Sequence, residues 1–220
     1  MAFHYSPKIV TDGLVLAVDA ANKKSYPGSG TTWTDLSGNG YDGTLTNGPT
    51  YNGSNGGSIV FDGVNDYVSG NLSTLTSWSM CIWYLSTDIT SKAVFYPFSC
   101  NNASNGLGFG GTFGSATNGR WYFFDGTSVL SSTNTAVTTN VWYNLVVTKS
   151  STTYNLYTNG SLSLNTSGVN INCTSYFLGR RGDGFWYAKG NIAQVSIYNR
   201  ALSTSEVLQN YNATKTRFGL

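Results

Sequence analysis

The stretch 154–164, Tyr-Asn-Leu-Tyr-Thr-Asn-Gly-Ser-Leu-Ser-Leu, restricts what this chain can fold into more than any other segment. Two short alternating runs meet at Asn159-Gly160. Asn-Gly tolerates the positive φ angles of a two-residue turn whose twist matches that of paired strands, so the stretch predicts a β-hairpin. The same period of two recurs along the chain. It marks strands at 14–18, at 58–61 with a turn at Asp62-Gly63 and a return through Tyr67-Val68, and at 120–125. In 78–85, Trp78, Met80, Ile82 and Tyr84 alternate with Ser79, Cys81, Trp83 and Leu85; in 141–149, Val141, Tyr143, Leu145 and Val147 share one face.

Asn-, Gly- and Ser-rich stretches at 37–42, 51–58, 101–114 and 182–184 read as loops joining these strands. One helix is marked. Ser203 and Glu206 fit a capping box flanked by Leu202 and Val207, which predicts about two turns over 204–211. Everything else is strand or loop, which excludes a parallel α/β fold. No linker and no repeat of solenoid length divides the 220 residues, so they read as one all-β domain.

Composition narrows the function classes. Charged residues make up 10% of the chain and the net charge is +2, too little to neutralise a run of phosphates, so nucleic acid is not an expected partner. Lys23-Lys24 and Arg180-Arg181 read as solvated surface. Aromatic residues at 15% are core material that a disordered chain lacks. No apolar run reaches the roughly 18 residues of a membrane span, and residues 1–7 carry no stretch of signal-peptide length. The three cysteines, Cys81, Cys100 and Cys173, are odd in number and without CxxC spacing, so reduced core thiols are expected.

Ordered blocks then carry a resemblance. They are Gly13-Leu14-Val15-Leu16, the run from Trp33 to Gly40, Asp42-Gly43-Thr44-Leu45, the run from Phe61 to Val68, and Trp142 to Thr148 with the hairpin after it. The run from Gly190 to Ser203 completes the set. The chain resembles the laminin-G-like, concanavalin A-like family from about Gly13 to Tyr211. The resemblance implies a two-sheet antiparallel jelly roll over 13–212, with an N-terminal arm at 1–12 and a C-terminal tail at 213–220. Both flanks look like the stand-alone form found among structural proteins of tailed bacteriophages. That form implies assembly in a host cytoplasm, display on the virion surface, and virion proteins, copies of itself and glycans as partners. Residues 1–10 of the arm and 215–220 of the tail are expected to lie outside the sandwich and to dock onto the particle.

Catalysis is not expected. Glycoside hydrolysis needs two carboxyls about 5–5.5 Å apart for retention or about 6.5–9.5 Å apart for inversion. The sequence holds one Glu, Glu206, already used as a capping residue, and Asp62 and Asp66 are the nearest acidic pair. His4 lies in the arm, outside the family blocks.

Calcium is the one cofactor left open, with Asp35, Asp42, Asp62 and Asp66 as candidate ligands. The alternative is that each Asp organises its own turn. The family's acidic pattern Gly-x-Ile-Asp-Glu-Val reads Gly190-Asn191-Ile192-Ala193-Gln194-Val195 here, so that ligand pair is neutral.

Sugars stack on exposed rings while amides and carboxylates read their hydroxyls. Candidates are Tyr96 and Phe98 before Asn101 and Asn102, then Trp121 and Phe123, and the turn with Asp183, Phe185, Trp186 and Tyr187; core packing is the competing reading of every ring. The leading expectation is a non-catalytic virion protein, a capsid decoration protein or fibre head with weak glycan adhesion. A free lectin and a glycoside hydrolase are the alternatives. Arg181-Gly182-Asp183 reads as an ordinary β-turn.

Overall fold

The computed structural model describes residues 7–88, 94–101, 105–110, 120–127 and 129–220. Among these, two antiparallel sheets pack face to face and one α-helix follows them, the arrangement the alternation calls for. The first sheet runs β14 (Ser161–Ser167), β13 (Thr153–Thr158), β12 (Trp142–Ser150), β7 (Trp78–Ser86), β16 (Lys189–Tyr198), β5 (Ser58–Asp62) and β4 (Thr50–Asn52). β1 (Leu14–Asp19) lies along the second half of β16. The second sheet runs β11 (Val129–Ala136), β10 (Arg120–Phe124), β9 (Gly106–Gly110), β8 (Val94–Cys100), β15 (Cys173–Leu178), β6 (Tyr67–Leu75), β3 (Gly43–Thr46) and β2 (Thr32–Trp33).

The hairpin forms where Asn159-Gly160 places it, with φ of 51° and 77° and Thr158 facing Ser161. Between the sheets lies one large aromatic core. Trp78 packs on Phe123 (6.1 Å between centroids) and Tyr154 (6.2 Å), and Trp33, Tyr84, Phe95, Phe98 and Trp121 join it. Burial of rings this size dominates the stability of such a core.

β7 is buried on both faces. Its inward residues Trp78, Met80, Ile82 and Tyr84 belong to the main core, while Cys81 and Trp83 point outward under the chain ends. The helix α1 (Thr204–Thr214) lies there, followed by a 3-10 turn (Lys215–Phe218). The capping box is present, and Arg200 braces Glu206 with two hydrogen bonds of 3.0 and 2.6 Å. The helix runs three residues past 211 because its apolar side still has a surface to cover. Tyr211 stacks on Trp83 at 5.9 Å, and Thr214 Oγ1 accepts from Trp83 Nε1 at 2.9 Å.

Three expectations change. The tail does not stand clear of the sandwich: Phe218 stacks on Trp83 (4.1 Å) and Trp142 (4.8 Å), and Arg217 pairs with Asp19 at 2.7 Å. The described part of the arm is also held, because Val10 N donates to Asn210 Oδ1 (2.7 Å) and Tyr198 donates to Val10 O (3.0 Å). His4 lies outside the described residues. Cys100 and Cys173 are not reduced thiols; they form a disulfide with a Cα separation of 5.4 Å. The strands β8 and β15 are neighbours, which brings together two residues 73 apart in sequence. Cys81 alone is free, and burial pushes its thiol up to about 12. Among the described residues, no helix is long and apolar enough to cross a membrane.

Candidate functional site

The two sheets differ in what covers their outer faces. Residues 7–13, α1 and the 3-10 turn close the first. Over the second, no helix or further strand lies among the described residues. Its outer face carries a groove of about 400 Å³, lined by Asp42, Thr44, Ser69, Gly70, Asn71, Ser175 and Phe177.

Strand alternation builds this lining. In β15, Tyr176 and Leu178 turn into the core, so Ser175 and Phe177 face out. In β6, Val68 and Leu72 turn in, leaving Tyr67, Ser69 and Asn71 on the outer face. The register sets Phe177 opposite Ser69, Ser175 opposite Asn71 and Thr44 opposite Ser69. Three hydroxyls, one amide and one aromatic ring thus meet on one patch. Gly70 is required beneath it, because a Cβ there would lie 2.5 Å from the Tyr176 ring. Tyr176 uses that space to donate its hydroxyl to Tyr41 O at 3.0 Å.

Beyond the groove, after β15, lie two arginines with different surroundings. The Arg180 guanidinium sits 3.9 Å from the Tyr67 ring centroid and 4.6 Å from that of Phe177. The Arg181 guanidinium sits among Tyr96 (5.5 Å), Phe124 (5.9 Å) and Trp186 (5.9 Å), and pairs with Asp183 at 2.6 Å. A turn closes there, with Gly184 N donating to Arg181 O at 3.1 Å, so the Arg-Gly-Asp tripeptide has its two charges satisfied by each other. Trp186 adopts φ of 62°, a left-handed conformation that costs a bulky residue energy and is kept only where neighbours enforce it. Tyr96 and Tyr122 meet edge to face at 6.1 Å below, and burial raises both phenols above their ordinary range.

The sequence candidates divide accordingly. Phe98, Trp121 and Phe123 lie between the sheets, where no ring face is open to a ligand. Tyr96 is on the outer side but fully covered, at 0% exposure. Asn101 is committed to structure: its amide donates to Asn172 O (2.6 Å) and accepts from Thr174 N (2.7 Å). Asn102 lies outside the described residues. Asp183, Trp186 and Tyr187 gather near Arg181 and Tyr96, and Phe185 projects at 63% exposure. Arg180 and Arg181, expected as solvated surface, are instead packed against rings, and Arg181 is paired with Asp183. Thr44, Tyr67, Ser69, Asn71, Ser175 and Phe177 were not among the sequence candidates. Their signal was the outward half of the alternation in 67–71 and 175–177.

The four candidate calcium ligands are two pairs that hold backbone. Asp35 accepts from Ala17, Ser37 and Tyr41 amides, and Asp42 accepts from the Asp35 amide at 2.8 Å. Asp62 caps Val64 at 2.7 Å, and Asp66 accepts from the Asp62 amide at 3.1 Å. Among the described residues, no three His, Cys, Asp or Glu side chains gather to hold a metal.

Over residues 61–208 the sequence matches the laminin-G-like family described as the concanavalin A-like lectin/glucanases superfamily. No curated protein matches the chain. Among solved structures, Trypanosoma rangeli sialidase in complex with the inhibitor DANA is similar at a TM-score of 0.71 and 14% identity, covering 94% of this chain and 35% of the sialidase. The chain therefore spans about a third of the length of that enzyme. Domain 4 of AbnA, an extracellular arabinanase from Geobacillus stearothermophilus solved with arabinotriose, is similar at a TM-score of 0.67 and 17% identity. There the match covers 90% of this chain and 98% of that domain. At such identities the likeness is one of fold.

Proposed function

Because the chain belongs to the concanavalin A-like lectin/glucanase superfamily, we propose that it is a glycan-binding domain without hydrolytic activity, and that it binds through the outer face of its second sheet. The observation that carries this reading is the groove lined by Thr44, Ser69, Asn71, Ser175 and Phe177. Hydroxyls and an amide can exchange hydrogen bonds with sugar hydroxyls, and a ring edge or face packs against the C–H side of a sugar. The similar arabinanase domain was solved with an oligosaccharide, which supports the same class of ligand for this fold.

Binding without hydrolysis is supported by the groove's lining. Among the described residues that line it, Asp42 is the one carboxylate, and hydrolysis by the usual routes takes two. The proposed setting is the surface of a bacteriophage particle, as a decoration protein or fibre head. It is supported by the resemblance of both flanks to stand-alone phage structural proteins. Residues 215–218 are engaged on the domain, so attachment to a particle would use other surface.

A glycan array with the isolated protein tests the binding. Micromolar affinity for one glycan class, lost in Asn71→Ala and Phe177→Ala, is the expected result. Binding that survives both substitutions would move the site elsewhere, and no binding at all would end the proposal. Release of reducing ends that disappears with an Asp→Asn change would restore the hydrolase alternative. Quantifying the protein in purified particles decides the setting: hundreds of copies indicate decoration, a handful a fibre, and absence a free lectin.

A further inference from the structure

We propose that the glycan is acidic and that Arg180 forms the oxyanion subsite at one end of the groove; this rests on the glycan-binding reading of that face.

Arg180 differs from its neighbours in how its charge is used. Arg181, Arg200 and Arg217 each pair with a carboxylate, at 2.6, 2.6 and 2.7 Å. Arg180 forms no ion pair among the described residues, and its Nε is buried without a hydrogen-bond partner. Nor is it a loosely solvated surface cation. Its guanidinium is held over two rings, and one of them, Phe177, also lines the groove. A stacked guanidinium keeps its in-plane N–H donors for a ligand, is weakly hydrated, and matches carboxylate or sulfate with two parallel hydrogen bonds.

Asp42, the carboxylate among the described residues of the groove, does not cancel this charge. Thr44 faces Ser69, which places Asp42 at the Asn71 end, whereas Arg180 stacks at Tyr67. Four residues along β6 separate those levels by about 13 Å. That distance exceeds the Debye length of about 8 Å at physiological salt. The face is therefore polarised, cationic where Phe177 offers a ring and polar along Ser69, Asn71 and Ser175. An oligosaccharide bearing a ring carboxylate or a sulfate fits it, with the anion at Arg180 and the neutral sugar hydroxyls along the strand.

Affinity electrophoresis of the full chain tests this with polygalacturonate as the carboxylate probe, dextran sulfate as the sulfate probe, and dextran and arabinan as neutral probes. Wild type is expected to prefer one acidic probe over both neutral ones by at least about tenfold, the weight of a charge-assisted hydrogen-bonded pair. Arg180→Gln should remove that preference and leave neutral binding unchanged. Lys24→Gln, which lowers the net charge equally on another surface, should leave the preference intact. In the wild-type protein, titration with trigalacturonate or a sulfated trisaccharide should shift the Arg180 Nε–H resonance, a readout that does not depend on a variant folding. Equal weakening by Arg180→Gln and Lys24→Gln, or an unmoved Nε–H signal at saturation, would overturn the subsite. Neutral glycans bound in the groove with no acidic preference would overturn it too while leaving the binding face in place. No glycan bound by any probe would remove both.

Discussion

The ring of Phe218 is stacked on Trp83, with their centroids 4.1 Å apart and their planes 22° from parallel. Trp83 projects from the middle strand of the first sheet, on the side away from the core. The contact explains how a strand as apolar as β7 avoids exposing one of its faces. It also makes the last residues part of the fold. Phe218→Ala should cost about 3 kcal/mol, the usual loss for a buried ring. Urea unfolding would measure it, and a midpoint within error of wild type would mean that the stack is dispensable.

The bond between Cys100 and Cys173 closes a long loop across β8 and β15. Cross-linking residues 73 apart removes chain entropy from the unfolded state worth roughly 4 kcal/mol. A reductant, or the double change Cys100→Ala with Cys173→Ala, should lower stability by about that amount. Unfolding curves that coincide with and without reductant would show the bond to be absent in solution.

Gly70 and Tyr176 share one space beneath the groove. Gly70→Ala should destabilise by about 1–3 kcal/mol through overpacking. Adding Tyr176→Leu should cost less than the two single changes predict, since the second removes the ring that the first strikes. Strict additivity in that cycle would count against the contact.

Glu206 gives the helix a dependence on pH. Hydrogen bonds from Arg200, then from the Ser203 backbone, hold its carboxyl down at about 2, against an ordinary value of 4.5. A folded value below the unfolded one stabilises fully above about pH 4.5, and the contribution is lost as pH falls towards 2. Thermal melts of wild type and Glu206→Gln should therefore differ most above pH 4.5 and converge near pH 2. A gap that stays constant over that range would assign the stabilisation to packing.

Local rules were legible in the sequence. Asn159-Gly160 and Ser203 with Glu206 act through their own backbones, so the turn and the helix start needed nothing distant. The groove was not legible, because it exists only where β15 lies beside β6 and β3, joining residues 44, 69–71 and 175–177. The aromatics failed as pointers for a related reason. Phe98, Trp121 and Phe123 look like Tyr96 and Trp186 in sequence, and only the sheet's pairing and irregularities decide which side each takes. The same holds for cysteine: an odd count reads as three free thiols until two are found on adjacent strands and the third on the other sheet.

Residues 7–13 and the final turn rest on one side of the sandwich, and the groove opens on the other. Whatever grips the protein near residues 7–13 or the final turn, a resin or a viral shell, would leave the grooved face directed outward. If that face binds glycan as proposed, the orientation an adhesive layer needs would then be set by the folding of each copy.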